Sequence, residues 1–246
     1  MPDWRDAAAY APLLEADRSI VAWEWLRRDP SYREAALGSP RLRGTPAAAA
    51  WGLVAFEDPD LAAPGARPVW TAEADASVLA ALACECSSGR DTLDLERFGA
   101  MSTIMAISDR REHLLVSDGL RSIRLDLLAG TLTQGPAELR YLLRGLSSAE
   151  KPLLTLRRFL ALARTGRFSR SLHPREPRAR RWALLLRVHD ALRAEADQRE
   201  IARVLLSRDA GEPRWRSRAP SLRSQAQRLV REARRMATGS YRELLR

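Results

Sequence analysis

Lysine is almost absent from this chain of 246 residues: of 41 basic side chains, 40 are arginine and only Lys151 is lysine. Cysteine is nearly as scarce. Cys84 and Cys86 lie too close together to read as a disulfide framework, so a reducing, cytoplasmic compartment is expected. No apolar run approaches the ~20 residues that a membrane-spanning helix needs. The opening Met1-Pro2-Asp3-Trp4-Arg5-Asp6 lacks the basic and apolar regions of a signal peptide. The usual enzyme motifs are missing as well: no G-x-x-x-x-G-K-[ST] phosphate loop, no G-x-G-x-x-G after a strand, no H-E-x-x-H. His113, His173 and His189 are scattered, and His189, on an apolar helix face, reads as a hydrogen-bonded core residue. Cys84-x-Cys86 lacks the second pair that would complete a zinc tetrahedron. The expectation is a non-enzyme with no catalytic residue, metal or cofactor.

What the chain does have is positive charge in one half. Residues 1–146 hold 16 Arg against 21 Asp and Glu, a balance of −5. Residues 147–246 hold 25 Lys and Arg against 10 acids, a balance of +15, which makes the net charge +10. A coding bias explains arginine in place of lysine, but not its confinement to one half. Such asymmetry points to a polyanion, either nucleic acid or an anionic membrane surface. Arginine's planar fork suits phosphates and guanine edges, which it can bond in bidentate fashion.

Hydrophobic periodicity predicts helix over residues 1–37, with Asp17 capping a segment toward Arg28 and Asp29-Pro30 ending it. Residues 30–37 fit a further short turn of helix. Trp51–Phe56 and Val69–Thr71 have strand character inside a Pro- and Gly-rich stretch. Met101–Ile107, His113–Ser117 and Leu120–Leu125 read as a small sheet, with Asp118-Gly119 as a two-residue hairpin signal. Trp23 and Trp25 cannot share one helix face, so one of them is a candidate for an interface as well as for the chain's own core. From Pro136 on the pattern is helical: Ala137–Leu146, then a segment capped by Ser148 and running to about Arg164. The fold class expected is α+β and mostly α: N-terminal helices with a small antiparallel sheet, then a helix-turn-helix-like C-terminal helical domain. The boundaries expected are 1–165 for an interaction and oligomerisation module and 178–246 for a DNA-binding domain.

Three apolar patterns follow the basic linker of residues 166–177. Trp182, Leu185, Leu186, His189, Leu192 and Ala196 make the first, and Ile201, Val204 and Leu205, preceded by Asp197, the second. In the third, Leu222, Ala226, Leu229, Val230, Ala233 and Met236 form one stripe of a helix, capped by Ser221 after Pro220. The opposite face holds Arg223, Ser224, Gln227, Arg228, Arg231, Arg234 and Arg235, donors and acceptors that fit phosphates and base edges. A helix-turn-helix recognition helix meets bases with its first turns. Ser221, Arg223, Ser224, Gln227 and Arg228 are therefore the candidate base-reading residues. Arg231 and Arg235, with Arg199, Arg216 and Arg218, are the candidate phosphate contacts. The connection from Ser207 to Pro220 is long for such a motif, with Trp215 placed to anchor it. A three-helix bundle with a merely cationic surface, or a basic helix lying on a membrane, would leave much the same pattern.

Two stretches also resemble a known family. Pro2-Asp3-Trp4-Arg5, Tyr10, Asp17-Arg18 and Ala22-Trp23-Glu24-Trp25-Leu26-Arg27-Arg28-Asp29-Pro30 resemble its N-terminal transcriptional-regulator-like module. Arg199-Glu200-Ile201-Ala202, Trp215, Leu222-Arg223, Arg228-Leu229-Val230, Gly239 and Tyr241-Arg242 resemble its DNA-binding module. This proteobacterial two-module family includes activators and antiactivators of mobile-element transfer and RovC-like activators of type VI secretion genes. The resemblance implies an activator that binds promoter DNA as a homo-oligomer, a dimer or higher, and meets RNA polymerase or an antiactivator. It implies no membrane role. The alternative is an antiactivator of the same fold that binds protein rather than DNA.

Overall fold

In the computed structural model, residues 2–38, 46–85, 91–108, 111–207 and 220–246 are described. A 3-10 turn at Ala8–Leu14 leads into α1 (Arg18–Leu26) and α2 (Pro30–Leu37). Proline at the first position of α2 costs no hydrogen bond, and Asp29 caps that helix by accepting from Ser31 N–H at 2.8 Å. Asp17 stands at the cap position of α1 but serves the sheet instead. Its carboxylate accepts from Ser122 N–H at 3.0 Å, and its own N–H donates to Leu120 O at 2.7 Å. A single turn, α3 (Pro46–Ala49), precedes the segments expected to be strands. Those segments meet only at a bridge between Leu53 and Trp70.

The sheet departs from expectation. It has six strands, β1 (Leu79–Glu85), β2 (Thr92–Leu93), β3 (Ser102–Ser108), β4 (Arg111–Ser117), β5 (Ser122–Ala129) and β6 (Ala137–Leu142), in the order β2-β6-β1-β5-β4-β3. The pairing is mixed: β1 runs parallel to β5 and antiparallel to β6. This corrects the small antiparallel sheet read from the sequence. The expected strands are the β3–β4–β5 meander, and Ser117 pairs with Ser122 across four intervening residues rather than two. The stretch read as helix from Ala137 is β6. Its residues, Ala-Glu-Leu-Arg-Tyr-Leu, are mostly good helix formers, but backbone pairing with all of Ala80–Glu85 outweighs that local preference. β1 itself is alanine-rich and does not alternate, so nothing local marks it as a strand.

Helix α4 (Glu150–Thr165) lies against this sheet, burying Phe159 and Leu162 among Leu79, Leu125 and Leu139. Its first turn is a 3-10 turn in which the Ser148 hydroxyl donates to Arg144 O rather than capping. The C-terminal helices are α5 (Ala179–Arg193), α6 (Gln198–Leu205) and α7 (Pro220–Ala237), followed by a 3-10 turn at Ser240–Leu245. They do not close a core of their own. One cluster joins Trp4, Trp23, Trp25 and Trp70 to Trp182, Leu186, Leu229 and Tyr241. This corrects the second half of the expected fold. The reason lies in α5, which buries residues round much of its circumference, Ala183, Leu185, Val188 and Asp190 among them, and so needs partners on more than one side. Trp23 and Trp25 are both buried on opposite sides of α1, Trp23 edge-on to Tyr32 at 5.6 Å and Trp25 tilted against His189 at 5.5 Å.

Candidate nucleic-acid interface

Asp197 starts α6 as the spacing predicts, accepting from Glu200 N–H at 2.7 Å. Ile201 and Ala202 are buried, and Ala202 meets Ala226 of α7 with Leu206 and Leu222 around them. Further along α7, Leu229, Val230, Ala233 and Met236 enter the main core. One end of α7 is thus seated on α6 and the other in the body of the molecule. The anchoring stripe fixes which way the rest of the helix points.

At about 100° per residue, Arg223, Arg234, Gln227, Arg231, Ser224, Arg235 and Arg228 fall within an arc of about 140° centred opposite that stripe. All are exposed except Gln227, which is half-buried. Ser221 is exposed in the first turn; because Pro220 is already helical, Ser221 lies inside α7 rather than capping it. Arg199 is exposed on α6, not on this arc. Arg216, Arg218, Trp215 and the α6–α7 connection lie outside the described residues.

Three neighbours escaped sequence reasoning. Arg181 of α5 reaches the acid of α7, Glu232, in an ion pair, and with Gln225, Arg228, Arg231 and Arg235 it lines one open depression. Arg181 is 51 residues away in the chain, so no spacing rule could have joined them. Gln225 was legible as an exposed polar residue of the same helix, but it falls about 60° outside the arc. At the far end of α6, Glu200 pairs with Arg5, so the N-terminal segment touches the helix on which α7 rests. Glu232 and Glu200 are thereby each matched by a cation outside α7, and the arginines on the exposed arc keep their charge for solvent or a ligand.

An exposed helix face of this kind offers guanidinium donors at two heights, near the first turn and near the end, suited to a groove flanked by phosphates. Cys84 is half-buried and unpaired by a disulfide, while Cys86 lies outside the described residues. Among the described residues no helix is long and apolar enough to cross a membrane.

Residues 142–246 match the family model described as the DNA-binding domain of a T6SS transcription factor. Residues 3–55 match the proteobacterial transcriptional regulator-like domain. The chain therefore has the two-module make-up that its sequence resembles, that of a transcription regulator with a DNA-binding domain. The matched DNA-binding region takes in α4 to α7, and so includes the arginine-bearing helix. No curated protein matches the chain.

Proposed function

We propose that this protein is a sequence-specific DNA-binding activator of type VI secretion or mobile-element genes, acting in the cytoplasm without enzymatic activity. Helices α6 and α7 serve as a helix-turn-helix unit, with α7 in the major groove. The observation that carries this reading is the arc of five exposed arginines on α7, held outward by an apolar stripe buried on the other side. Arg223, Ser224, Gln227 and Arg228, with Ser221, read base edges from the first turns. Arg231 and Arg235 hold phosphates, supported by Arg199, Arg216 and Arg218. Residues 1–165 serve as the interaction and oligomerisation module and 178–246 as the DNA-binding unit. A homodimer or higher oligomer presents two copies of α7 to half-sites roughly one helical turn apart. Through the acidic N-terminal half it contacts RNA polymerase or an antiactivator.

The test is a salt-titrated binding assay with the DNA upstream of the protein's own operon and a scrambled duplex of equal length. Tight binding to the first, weaker binding to the second, and a steep loss of both with salt are expected. Binding that ignores salt, together with tight capture of a partner regulator, would identify a protein-binding antiactivator instead.

A further inference from the structure

A second charged site lies at the opposite end of α5 from Arg181. A cleft of about 540 Å³ opens where the N-terminal 3-10 turn and the end of α1 meet the end of α5. That volume is ordinary for a small-molecule site. Its polar wall is built from arginines whose partners can be followed one by one. Arg28 is fully engaged: Nε and Nη2 donate to Asp190, and Nη1 donates to Glu24. Glu24 is equally engaged, with Oε2 also accepting from Arg27 Nε at 2.8 Å and Oε1 accepting from Ala63 N–H at 2.8 Å. Arg33 donates to Asp60 at 2.6 Å and to Pro59 O at 3.1 Å.

Among the described residues, Arg27 and Arg193 each keep a terminal nitrogen without an acceptor, whereas Arg33 keeps only its Nε. Arg27, only 7% exposed, donates Nε to Glu24 and Nη1 to Pro59 O, and its Nη2 meets no acceptor among the described residues. Arg193 donates Nη1 to Arg28 O at 2.7 Å, and its Nε and Nη2 meet no acceptor among the described residues. Among the described residues, Arg27, Arg28, Arg33 and Arg193 face Glu24, Asp60 and Asp190, an excess of one positive charge. Pro12, Leu13 and Ala62 supply an apolar wall.

We infer that this cleft binds a small organic monoanion, its carboxylate on Arg27 and Arg193 and its apolar body against Leu13 and Ala62. One unmatched cation suits one negative charge; a di- or triphosphate would bring more than the wall can balance. Such a ligand would bridge the end of α1 to the last residue of α5, and so bind the N-terminal module to the helix against which α7 packs. This site stands independently of the DNA-binding reading.

The experiment is calorimetric titration of the full chain with a series of monocarboxylates, from propionate through octanoate to phenylacetate, alongside neutral phenylacetamide. At least one acid should bind saturably at one site, and phenylacetamide should bind about tenfold more weakly than phenylacetate or worse. Arg193→Glu, an exposed position, should abolish binding while leaving the thermal midpoint close to that of the parent, and Ala62→Trp should abolish it by filling the cleft. If no acid in the series binds, or if binding survives both substitutions, the site is wrongly assigned.

Discussion

Arg28 and Asp190 form a buried, bidentate ion pair between residues 162 positions apart, with Nε to Oδ1 at 2.8 Å and Nη2 to Oδ2 at 2.9 Å. Both side chains are almost wholly removed from solvent, at 2% and 1% exposure. The Tyr10 hydroxyl adds a third bond to Asp190 at 2.6 Å. Burial alone would lower the pKa of Arg28, but Asp190 and Glu24 outweigh it and hold the guanidinium charged. One carboxylate on α5 thus collects the N-terminal 3-10 turn and the end of α1. The element that carries α7 against its side is locked to the N-terminal module by these bonds.

Replacing Asp190 with alanine would leave Arg28 buried with only Glu24 to answer it. Truncating one partner of a buried pair costs about 3–5 kcal/mol. The urea midpoint of Asp190→Ala should fall accordingly, and Arg28→Met combined with Asp190→Leu should recover much of the loss. Equal midpoints for Asp190→Ala and the parent would show that the pair does not hold the modules together.

His189 sets a second expectation. Burial, chiefly, lowers its pKa; Asp190 acts in the opposite sense, and Arg28 and Arg193 lower it further. A histidine whose folded pKa lies below its unfolded value stabilises the fold fully above about pH 6.5. That contribution fades as pH falls below this value and is gone once the folded pKa is passed. Urea midpoints measured downward from neutral pH should therefore decline before the carboxylates titrate. His189→Phe, which keeps a ring against Trp25, should flatten the decline between neutrality and about pH 5.5. An unchanged slope would assign the decline to other groups.

What could be read from the sequence was local. The stripe from Leu222 to Met236 repeats within one helix, so its period gave both the buried side and the arginine side, and Asp197 marked the start of α6 by a rule three residues long. Tertiary facts lay out of reach. β1 and β6 are strands because the sheet gives each a partner on both sides, and Ala137–Leu142 viewed alone favours helix. Asp190 stood beside His189 on a helix whose apolar stripe was evident. A buried carboxylate there required an arginine from the far end of the chain, and no periodicity announces such a partner. Arg181 likewise joined the candidate interface only through the packing of α5 on α7.

Gly130 tests the parallel pairing of β1 with β5. It follows β5 with φ +76°, a backbone region that side chains disfavour, and a Cβ there would lie 1.9 Å from Ala83 O in β1. The contact is with backbone, so no rotamer change relieves it. Gly130→Ala carries about 1–2 kcal/mol of conformational strain from the left-handed backbone alone. Moving β1 away adds to that, so the thermal midpoint should drop by more than the strain term predicts. A midpoint within error of the parent would argue against the observed register of β1 beside β5.

The arginines of α7 should separate into two classes by their response to salt and sequence. If Arg228 reads a base, Arg228→Ala should cost about 1–3 kcal/mol at the specific site and little on scrambled DNA. Arg231 sits at the centre of the exposed arc, and as a phosphate contact its loss should weaken both duplexes alike and lower the salt slope by about one. Glu232 provides the converse. It is the acid on α7, and Glu232→Gln removes a negative charge from the surface proposed to meet phosphates and releases Arg181 from its pair. Affinity for both duplexes should rise at low salt, with the gain shrinking as the Debye length contracts. Anisotropy titrations across a salt series read all three variants together. Unchanged affinity in Arg228→Ala and Arg231→Ala would remove α7 from the interface, and weaker binding by Glu232→Gln would mean that holding Arg181 in place matters more than the charge.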